Sequence, residues 1–271
     1  MNAPLIDEQA QYRVLVDRPA AERAAERAFA AASGLLAVSD EVAGWLELFR
    51  GARDKIHVVP NGIRPERFPE NIAPALAAAS GVFTVGFVGT LKAWHGLSVL
   101  VEAFEVLHQR HPSTRLLIVG DGPERENISL ALRQRGLLDA SVLTGAVGPD
   151  QVPGFLASMD VAVAPYPQLP AFYFSPLKVY EYMAAGLPVV VSRIGQLKTL
   201  IEPEVNGLLV DPGDIKALAL ALERLLSKAE LRVRLGRNAR STVLRTHTWE
   251  AVVQRILKIA GVGDVECTYT V

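Results

Sequence analysis

SPLKVYEYMAAGLPVVVS, residues 175–192, is the stretch that best predicts the fold of this chain. Ser175 and Pro176 are typical of a helix start, because a serine side chain caps free amides and proline suits the first helical turn. The apolar residues that then recur at helical spacing are Leu177, Tyr180 and Ala184. This spacing predicts a short helix with one buried face.

The second half of the stretch predicts a turn into a buried strand. Gly186 can end the helix, Pro188 prevents its continuation, and residues 189–191 are three valines typical of a parallel strand. A helix that starts from a loop beside a core strand can bind an anion at its amino terminus. Lys178 and Glu181 lie one turn apart on one side of this helix. They form either an exposed ion pair, the common outcome of this spacing, or part of such a site.

The composition excludes several classes of protein. Half of the 271 residues are hydrophobic and the formal net charge is −1, so we expect no nucleic-acid partner. Cys267 is the single cysteine, which argues against a disulfide framework and a thiolate metal site. No stretch approaches the roughly 20 apolar residues of a membrane span, and the first residues lack a signal-peptide pattern. We expect a cytoplasmic protein without an integral membrane segment, with peripheral attachment to a membrane as the other option.

From Val82 onward the sequence alternates strands and helices. The expected strands are residues 82–88, 116–119, 142–144, 161–164, 189–191 and 208–210. Such alternation predicts an α/β fold with a doubly wound parallel sheet that has helices on both faces. Residues 82–245 are therefore expected to form one Rossmann-like domain.

The rest of the chain is expected to belong to other structures. Residues 1–63 begin with a polar, irregular stretch and hold two short strands, too few to close a sheet, so we expect a partial second domain. Residues 64–81, with three prolines, are expected to be a linker. Residues 246–271 are expected to form a terminal helix and a tail.

Ligands of open parallel sheets bind beyond the carboxyl ends of the strands, and the loop after the first strand of this domain is unusual. Gly89 and Gly96 bracket this loop, and glycine lets the backbone approach a ligand closely. Lys92 and His95 offer positive charge or hydrogen-bond donors. The alternative is a plain turn in which Lys92 is solvated and His95 caps or packs against the next helix.

Two further loops are weaker signals. Residues 120–124, GDGPE, look like the start of a dinucleotide-binding loop, but Arg125 stands at the third glycine position. Residues 144–150 form a bent loop whose backbone could border a planar base, although an ordinary loop would look the same.

Together, these loops favour a site for a nucleoside diphosphate. Main-chain amides and lysine suit a diphosphate, and a carboxylate such as Glu181 can accept hydrogen bonds from ribose hydroxyls. The sequence has neither the Gly-x4-Gly-Lys-Ser/Thr loop of Walker-type hydrolases nor an Asp-x-Asp pair. We therefore expect protein donors to neutralise the phosphates, without a metal or another cofactor.

In their order and spacing, several segments resemble glycosyltransferase family 4, whose GT-B architecture joins two Rossmann-like domains with the active site between them. These segments are FVGTLKAWHG, LLIVGDGPER, VAVAPYP, SPLKVYEYMAAGLPVVVS and LIEPEVNGLLVDPGD. The segments AAASGLLAVSDEVAGWL and IHVVPNGIRPERF resemble the end of that family's amino-terminal domain. The resemblance covers nearly the whole chain.

The resemblance implies roles for individual residues. Glu181 matches the second glutamate of the family's E-x7-E signature, which binds the nucleotide ribose, whereas the first glutamate falls at Tyr173 and is missing. The family's arginine in the first glycine loop falls at Thr90 and its lysine at His95. Lys92 is then the candidate catalytic group that faces the diphosphate.

Other residues are assigned to the sugar donor in the same way. The Val147 backbone matches the position that meets the base, and loop amides of residues 174–177 are expected to face the sugar and the phosphate. The full set of donor-binding candidates is Gly89, Thr90, His95, Val147, Phe174, Ser175, Pro176, Leu177, Lys178 and Glu181.

The resemblance implies an enzyme that transfers a sugar from a nucleoside diphosphate, such as a UDP- or GDP-sugar, with retention of configuration and without a metal. The acceptor is unknown, and cell-envelope polysaccharide synthesis is the expected context. Because most of the amino-terminal domain is not matched, we expect transfer to need a longer form of the protein or a partner chain that supplies this domain. Two alternatives are a nucleotide-sugar-binding module without transfer activity and a nucleotide-sugar epimerase of GT-B architecture.

Overall fold

The computed structural model describes residues 1–12 and 14–262. Contacts between these residues divide the chain into two compact units. The first unit contains residues 1–63, 171–176 and the described part of 246–271, and the second contains residues 64–170 and 177–245. None of the described helices combines the length and the apolar composition that crossing a membrane requires.

The first unit is built around a pair of short parallel strands. Its elements up to residue 63 are α1 (Leu5–Tyr12), α2 (Arg18–Ala31), β1 (Leu35–Ala37), α3 (Asp40–Leu46) and β2 (Ile56–Val58). The sequence predicted an irregular start, whereas the structure has α1 there. Asp7 of this helix accepts hydrogen bonds from Arg18 (2.8 Å) and from the Trp45 indole (2.7 Å), so distant residues stabilise a segment with little apolar pattern of its own.

The second unit is a six-stranded parallel sheet with helices. Its strands are β3 (Phe83–Val88), β4 (Thr114–Val119), β5 (Ser141–Leu143), β6 (Val161–Ala164), β7 (Val189–Ser192) and β8 (Leu208–Val210). Its helices are α4 (Leu97–Arg110), α5 (Arg125–Gln134), α6 (Val152–Leu156), α7 (Leu177–Ala184), α8 (Leu197–Leu200), α9 (Ile215–Ser227) and α10 (Ala229–Thr246). The terminal helix α11 (Trp249–Ile259) belongs to the first unit.

The strand order confirms the predicted doubly wound α/β fold. The sheet runs β5-β4-β3-β6-β7-β8, and all neighbouring pairs are parallel. The order of connection therefore reverses between β3 and β6, and a ligand crevice is expected beyond the carboxyl ends of strands at such a point. Every residue of β3, β6 and β7 is buried, as continuous apolar strands covered on both faces should be.

Residues 64–81, the expected linker, pack along the second unit. Phe68 is fully buried, the Ala75 amide donates to Gly154 O (2.8 Å), and Arg115 donates to Leu76 O (3.0 Å). A short 3-10 turn at Pro65–Arg67 starts this segment. The segment thus has fixed contacts from its first turn onward.

Helix α7 ends as its sequence predicts. Gly186 adopts a φ of 74°, its amide donates to Met183 O (3.0 Å), and the Leu187 amide donates to Tyr182 O (3.1 Å). These two bonds form a Schellman motif, in which glycine takes the left-handed position that side chains disfavour.

The start of α7 differs from the sequence prediction in two respects. Tyr180 and Ala184 are buried as expected, but Leu177 is 42% exposed. Ser175 Oγ is buried and has no hydrogen-bond partner among the described residues, so Ser175 does not cap the helix. The buried positions of α7 are Val179, Tyr180, Tyr182, Met183 and Ala184.

Candidate functional site

Glycine backbones meet where β3 and β4 end. Gly89 follows β3 with a φ of 148°, and Gly120 follows β4 with a φ of 134°. A Cβ atom added at Gly120 would lie 2.1 Å from Gly89 O, and real Cβ atoms do not approach oxygen so closely. The Gly89 amide also donates to Val119 O (2.9 Å). Both glycines are therefore needed to bring these two loops together at the switch point of the sheet.

Tyr182 of α7 holds the end of β3. Its hydroxyl donates to Val88 O (3.0 Å) and accepts a hydrogen bond from the Val88 amide (2.8 Å), and the whole group is buried. The residue that precedes Gly89 is thus bonded to α7 through both of its main-chain polar groups.

Replacing Tyr182 with phenylalanine should lower the free energy of unfolding by about 1–3 kcal/mol, because two buried main-chain groups lose this partner. Urea unfolding, followed by circular dichroism, measures the change. Equal unfolding midpoints for the two proteins would contradict the two hydrogen bonds.

Lys178 is the buried cation of this region. The residue as a whole is half-buried, but its Nζ atom is enclosed and has no hydrogen-bond partner among the described residues. Nζ lies 4.4 Å from the ring centre of Phe87 and 5.6 Å from that of Tyr166, and a Cβ atom at Gly89 would lie 2.9 Å from it. Burial lowers the pKa of Lys178 to about 7, although the nearby Glu181 carboxylate opposes this shift. The amine is therefore beside the Gly89 backbone and lacks the acceptor that a buried ammonium needs.

Glu181, one turn further along α7, is paired with an arginine that the sequence analysis missed. Arg67 Nη1 lies 3.1 Å from Glu181 Oε1, and Arg67 Nη2 donates to Pro149 O (2.7 Å). Burial raises the pKa of the Glu181 carboxyl, and Arg67 and Lys178 act in the opposite direction. The sequence did contain one signal for Arg67. This residue lies in RPERF, at the end of the segment IHVVPNGIRPERF that resembles the family.

His95 is an uncharged member of the site rather than a cation. Its Nδ1 lies 2.5 Å from Thr90 O, and since a carbonyl oxygen only accepts, Nδ1 carries the hydrogen. Burial, together with the charges of Lys178 and Lys92, lowers the pKa of His95 to about 4. The ring packs near Phe87, with the ring centres 5.8 Å apart. Of the two roles expected for His95, positive charge or a hydrogen-bond donor, burial and the two lysines disfavour the first at neutral pH, because they lower the pKa of the imidazolium.

Lys92 occupies a more open position than Lys178. Its Nζ lies 5.5 Å from the ring centre of Trp94, and the residue is half-buried. It borders a cavity of about 180 Å³ between the starts of α4 and α5, together with Glu124 and Asn127. Thr90, on the same loop, has an exposed side chain. The catalytic role of Lys92 stays a prediction.

The loop after β5 contains Val147, the residue expected at the base. Gly145 O accepts a hydrogen bond from the Gly120 amide (3.1 Å), and the Gly148 amide donates to Gln151 Oε1 (2.9 Å). Val147 itself is half-buried. The loop is thus held to the end of β4 on one side, and through Pro149 to Arg67 on the other.

The remaining candidates belong to the first unit. Phe174, Ser175 and Pro176 belong to it, and the rings of Phe174 and Tyr173 pack with centres 4.2 Å apart. Ser39 Oγ donates to Tyr173 O (3.1 Å) in the same unit. The candidates that belong to the second unit are Gly89, Thr90, Lys92, His95, Val147, Leu177, Lys178 and Glu181, and Arg67 belongs to the same unit. Among the described residues, no cluster of three or more histidine, cysteine, aspartate or glutamate side chains could hold a metal ion.

Comparison with known proteins identifies the family. The family model described as glycosyl transferases group 1 matches residues 68–242, more than half of the chain. The chain belongs to glycosyl transferases group 1. This confirms the predicted resemblance to glycosyltransferases of GT-B architecture.

Relatives within glycosyl transferases group 1 align with most of this chain. A glycosyltransferase of Methanocaldococcus jannaschii is 29% identical over 222 residues, which are 78% of this chain and 55% of the relative. The D-inositol 3-phosphate glycosyltransferase of Saccharomonospora viridis is 30% identical over 252 residues, 86% of this chain and 56% of the relative. The chain therefore spans about half the length of the curated relatives it matches.

A solved structure shares the fold of this member of glycosyl transferases group 1. HepE of Anabaena, crystallised with UDP and glucose, superimposes with a TM-score of 0.73 at 21% sequence identity, over 89% of this chain and 66% of HepE. At this identity the likeness supports the fold, and the residues of the site are argued from their own geometry.

Proposed function

We propose that this glycosyltransferase uses a nucleoside-diphosphate sugar as donor and that the region around Gly89, Lys178 and Glu181 binds it. The observation that carries the proposal is the enclosed Nζ of Lys178, which has no hydrogen-bond partner among the described residues and lies beside the Gly89 backbone. Leaving a buried amine without an acceptor costs free energy, so such a group is retained where a ligand supplies one. The diphosphate of the donor is the acceptor that we assign to it.

We assign the nucleoside to α7 and the loop after β5, the two elements that Arg67 joins. Glu181 can accept hydrogen bonds from ribose hydroxyls, and the Val147 backbone is the proposed edge of the base. The HepE structure contains UDP, which supports testing a uridine nucleotide first.

The proposed chemistry is departure of the nucleoside diphosphate as the sugar bond to it breaks. Negative charge grows on the leaving group, and preorganised donors aimed at this charge lower the barrier. Lys178 and Lys92 are the proposed donors, so the protein itself supplies the positive charge without a metal. Neutral His95 carries its hydrogen on Nδ1, which leaves Nε2 as an acceptor for a sugar hydroxyl. We further propose that transfer retains the anomeric configuration of the sugar. A GT-B amino-terminal domain, on the same chain or on a partner chain, would bind the acceptor.

The proposed donor class is tested by thermal shift with UDP, GDP, ADP and dTDP, each with and without EDTA. At about 100 times its Kd a ligand of the folded state adds about 2.7 kcal/mol of stability, so the correct nucleotide should raise Tm clearly. The shift should persist in EDTA. A chain whose Tm responds to none of these nucleotides would refute the proposed donor class.

Replacing Glu181 with alanine should weaken binding of the selected nucleoside diphosphate about 10- to 100-fold, because hydrogen bonds to a charged carboxylate are lost. Isothermal titration calorimetry measures the change. Glu230→Ala, at an exposed glutamate in the first turn of α10, is the matched control and should bind like the wild type. Unchanged affinity of Glu181→Ala would reject the ribose role.

A further inference from the structure

Arg67 joins two parts of the proposed nucleoside site that are distant in sequence. One guanidinium nitrogen lies 3.1 Å from Glu181 Oε1, and the other donates to Pro149 O (2.7 Å). The guanidinium carbon also lies 5.4 Å from the ring centre of Phe68, which is fully buried. The arginine fork is therefore held from three sides, although the side chain is 32% exposed. These contacts fix the position of the guanidinium group, unlike that of a flexible arginine side chain in solvent.

Arg67 occupies part of the Glu181 carboxylate and leaves the rest available. A carboxylate offers about four lone-pair sites on two oxygens, and the contact with Nη1 uses one of them on Oε1. The hydrogen bond from Arg67 goes to Oε1, so Oε2 can accept hydrogen bonds from a ligand. The guanidinium also neutralises the carboxylate charge, which would otherwise repel a bound diphosphate.

We propose that Arg67 is a positioning residue that orients Glu181 and the loop after β5 together, and thereby sets the preference of this site for ribose over 2′-deoxyribose. The inference rests on the proposed nucleoside-diphosphate site. It adds to that site a residue from outside the sheet, which acts on the nucleoside through Glu181 and Pro149. Loss of the guanidinium frees both the carboxylate and the loop, so that hydrogen bonds to the ribose hydroxyls lose their fixed geometry.

Arg240 provides a structural control for this role. Its Nη1 donates to Phe68 O (2.8 Å) and to Ala184 O, so it also holds the segment after residue 64 and also contacts α7. Within the part of the chain that the structure describes, its hydrogen bonds and ion pair go to Phe68, Ala184 and Glu70 rather than to Glu181 or the loop after β5. A substitution at Arg240 should therefore loosen the same segment, while Glu181 and Pro149 keep their contacts with Arg67.

The experiment compares wild type, Arg67→Met, Arg67→Lys and Arg240→Met by calorimetry with UDP, 2′-deoxy-UDP and inorganic pyrophosphate, or with the guanosine pair if GDP is the nucleotide that binds. Wild type should prefer the ribonucleotide by about tenfold or more, as expected for a hydrogen bond to a charged group. Arg67→Met should lose most of this preference and keep its affinity for pyrophosphate. Arg67→Lys retains the charge but not the two-point fork, so its preference should be intermediate. Arg240→Met should keep the wild-type preference.

The outcomes separate this inference from the donor proposal. If wild type binds the nucleoside diphosphate and Arg67→Met discriminates ribose as well as wild type does, the role of Arg67 is refuted and the donor site stands. The role is likewise refuted if Arg240→Met loses the preference to the same degree, or if wild type binds both sugars equally. If wild type binds no nucleoside diphosphate, both proposals fail. Should Arg67→Met not fold, the comparison between Arg67→Lys and wild type decides.

Discussion

In a longer form or complex of the protein that transfers sugar, replacing Lys178 with methionine should lower kcat for transfer, or for slow hydrolysis of the donor without acceptor, about 100- to 1000-fold. A donor that stabilises charge on a leaving group commonly contributes about 3–4 kcal/mol, and Lys178 is the enclosed cation that we assign to the diphosphate. Methionine has a similar length, and its thioether packs well against aromatic rings such as Phe87, so the fold should survive.

The control for this variant is Lys216→Met, at an exposed lysine in the first turn of α9, which should keep the wild-type kcat. Lys178→Met should also bind inorganic pyrophosphate more weakly than wild type, which separates a role in phosphate binding from a general loss of structure. A Lys178→Met enzyme with wild-type kcat and wild-type pyrophosphate affinity would remove this residue from the mechanism.

The same lysine predicts a pH dependence. With a pKa lowered to about 7, its amine is largely neutral at pH 8, and an anionic ligand should raise this pKa and bring a proton with it. Calorimetry at pH 8 in buffers of different ionisation enthalpy should show that the protein takes up a proton when diphosphate binds. This proton uptake should be absent below about pH 6, and it should be absent in Lys178→Met. Of the neighbouring groups, His95 is already neutral, Glu181 is paired with Arg67, and burial raises the pKa of Tyr166, so none of them competes at this pH.

The linked effect on stability has a defined sign. Because the folded-state pKa of Lys178 lies below that of the unfolded chain, the unfolded chain binds more protons between these two values. The free energy of unfolding of wild type should therefore rise, relative to that of Lys178→Met, as the pH increases from about 7 towards 10. A difference that is independent of pH would contradict the lowered pKa.

Replacing Gly120 with alanine should destabilise the second unit by about 3 kcal/mol or more. The backbone there has a φ of 134°, and the new Cβ atom would lie 2.1 Å from Gly89 O, so strain and a backbone collision add together. Chemical denaturation measures the free energy of unfolding. Relief of the collision requires Gly89 to move, so a variant that still folds should bind diphosphate poorly.

Gly136 offers the matched comparison. It has a φ of 67°, and a Cβ atom there would meet nothing within 4 Å. Gly136→Ala should therefore cost about 1–2 kcal/mol, from the left-handed backbone alone. Similar losses in the two variants would show that the Gly120 and Gly89 backbones are not in the close contact described.

Local pattern predicted most of the secondary structure of the second unit. The strand at residues 161–164 was predicted with the observed bounds. The strand predicted at residues 82–88 begins one residue later in the structure, at Phe83. Continuous apolar runs between turn residues leave few alternatives to a buried strand. The errors lie at the edges of elements. Leu177 matches the helical spacing but is exposed, and Ser175 has the chemistry of a cap but does not cap α7, since both depend on what surrounds the first turn.

The candidate site could be predicted only in part. Gly89, Lys178 and Glu181 could be proposed from the sequence because a glycine after a strand and two polar residues one turn apart at the start of a helix are signals within a few residues of sequence. Arg67 was missed, and its contacts explain why: it is 114 residues from Glu181 and 82 residues from Pro149 in the chain. The charge states were also beyond the sequence, since His95 and Lys178 owe their lowered pKa values to burial.

The sequence by itself determined the alternation of strands and helices, and with it the doubly wound sheet and the edge at which a ligand would bind. Those features follow from hydrophobic periodicity and from turn residues, which act over one element at a time. The tertiary structure alone decided which side chains lie near that edge, which lysine amine is enclosed and which arginine contacts the Glu181 carboxylate. Such contacts form between elements far apart in the chain, where no local pattern records the neighbour.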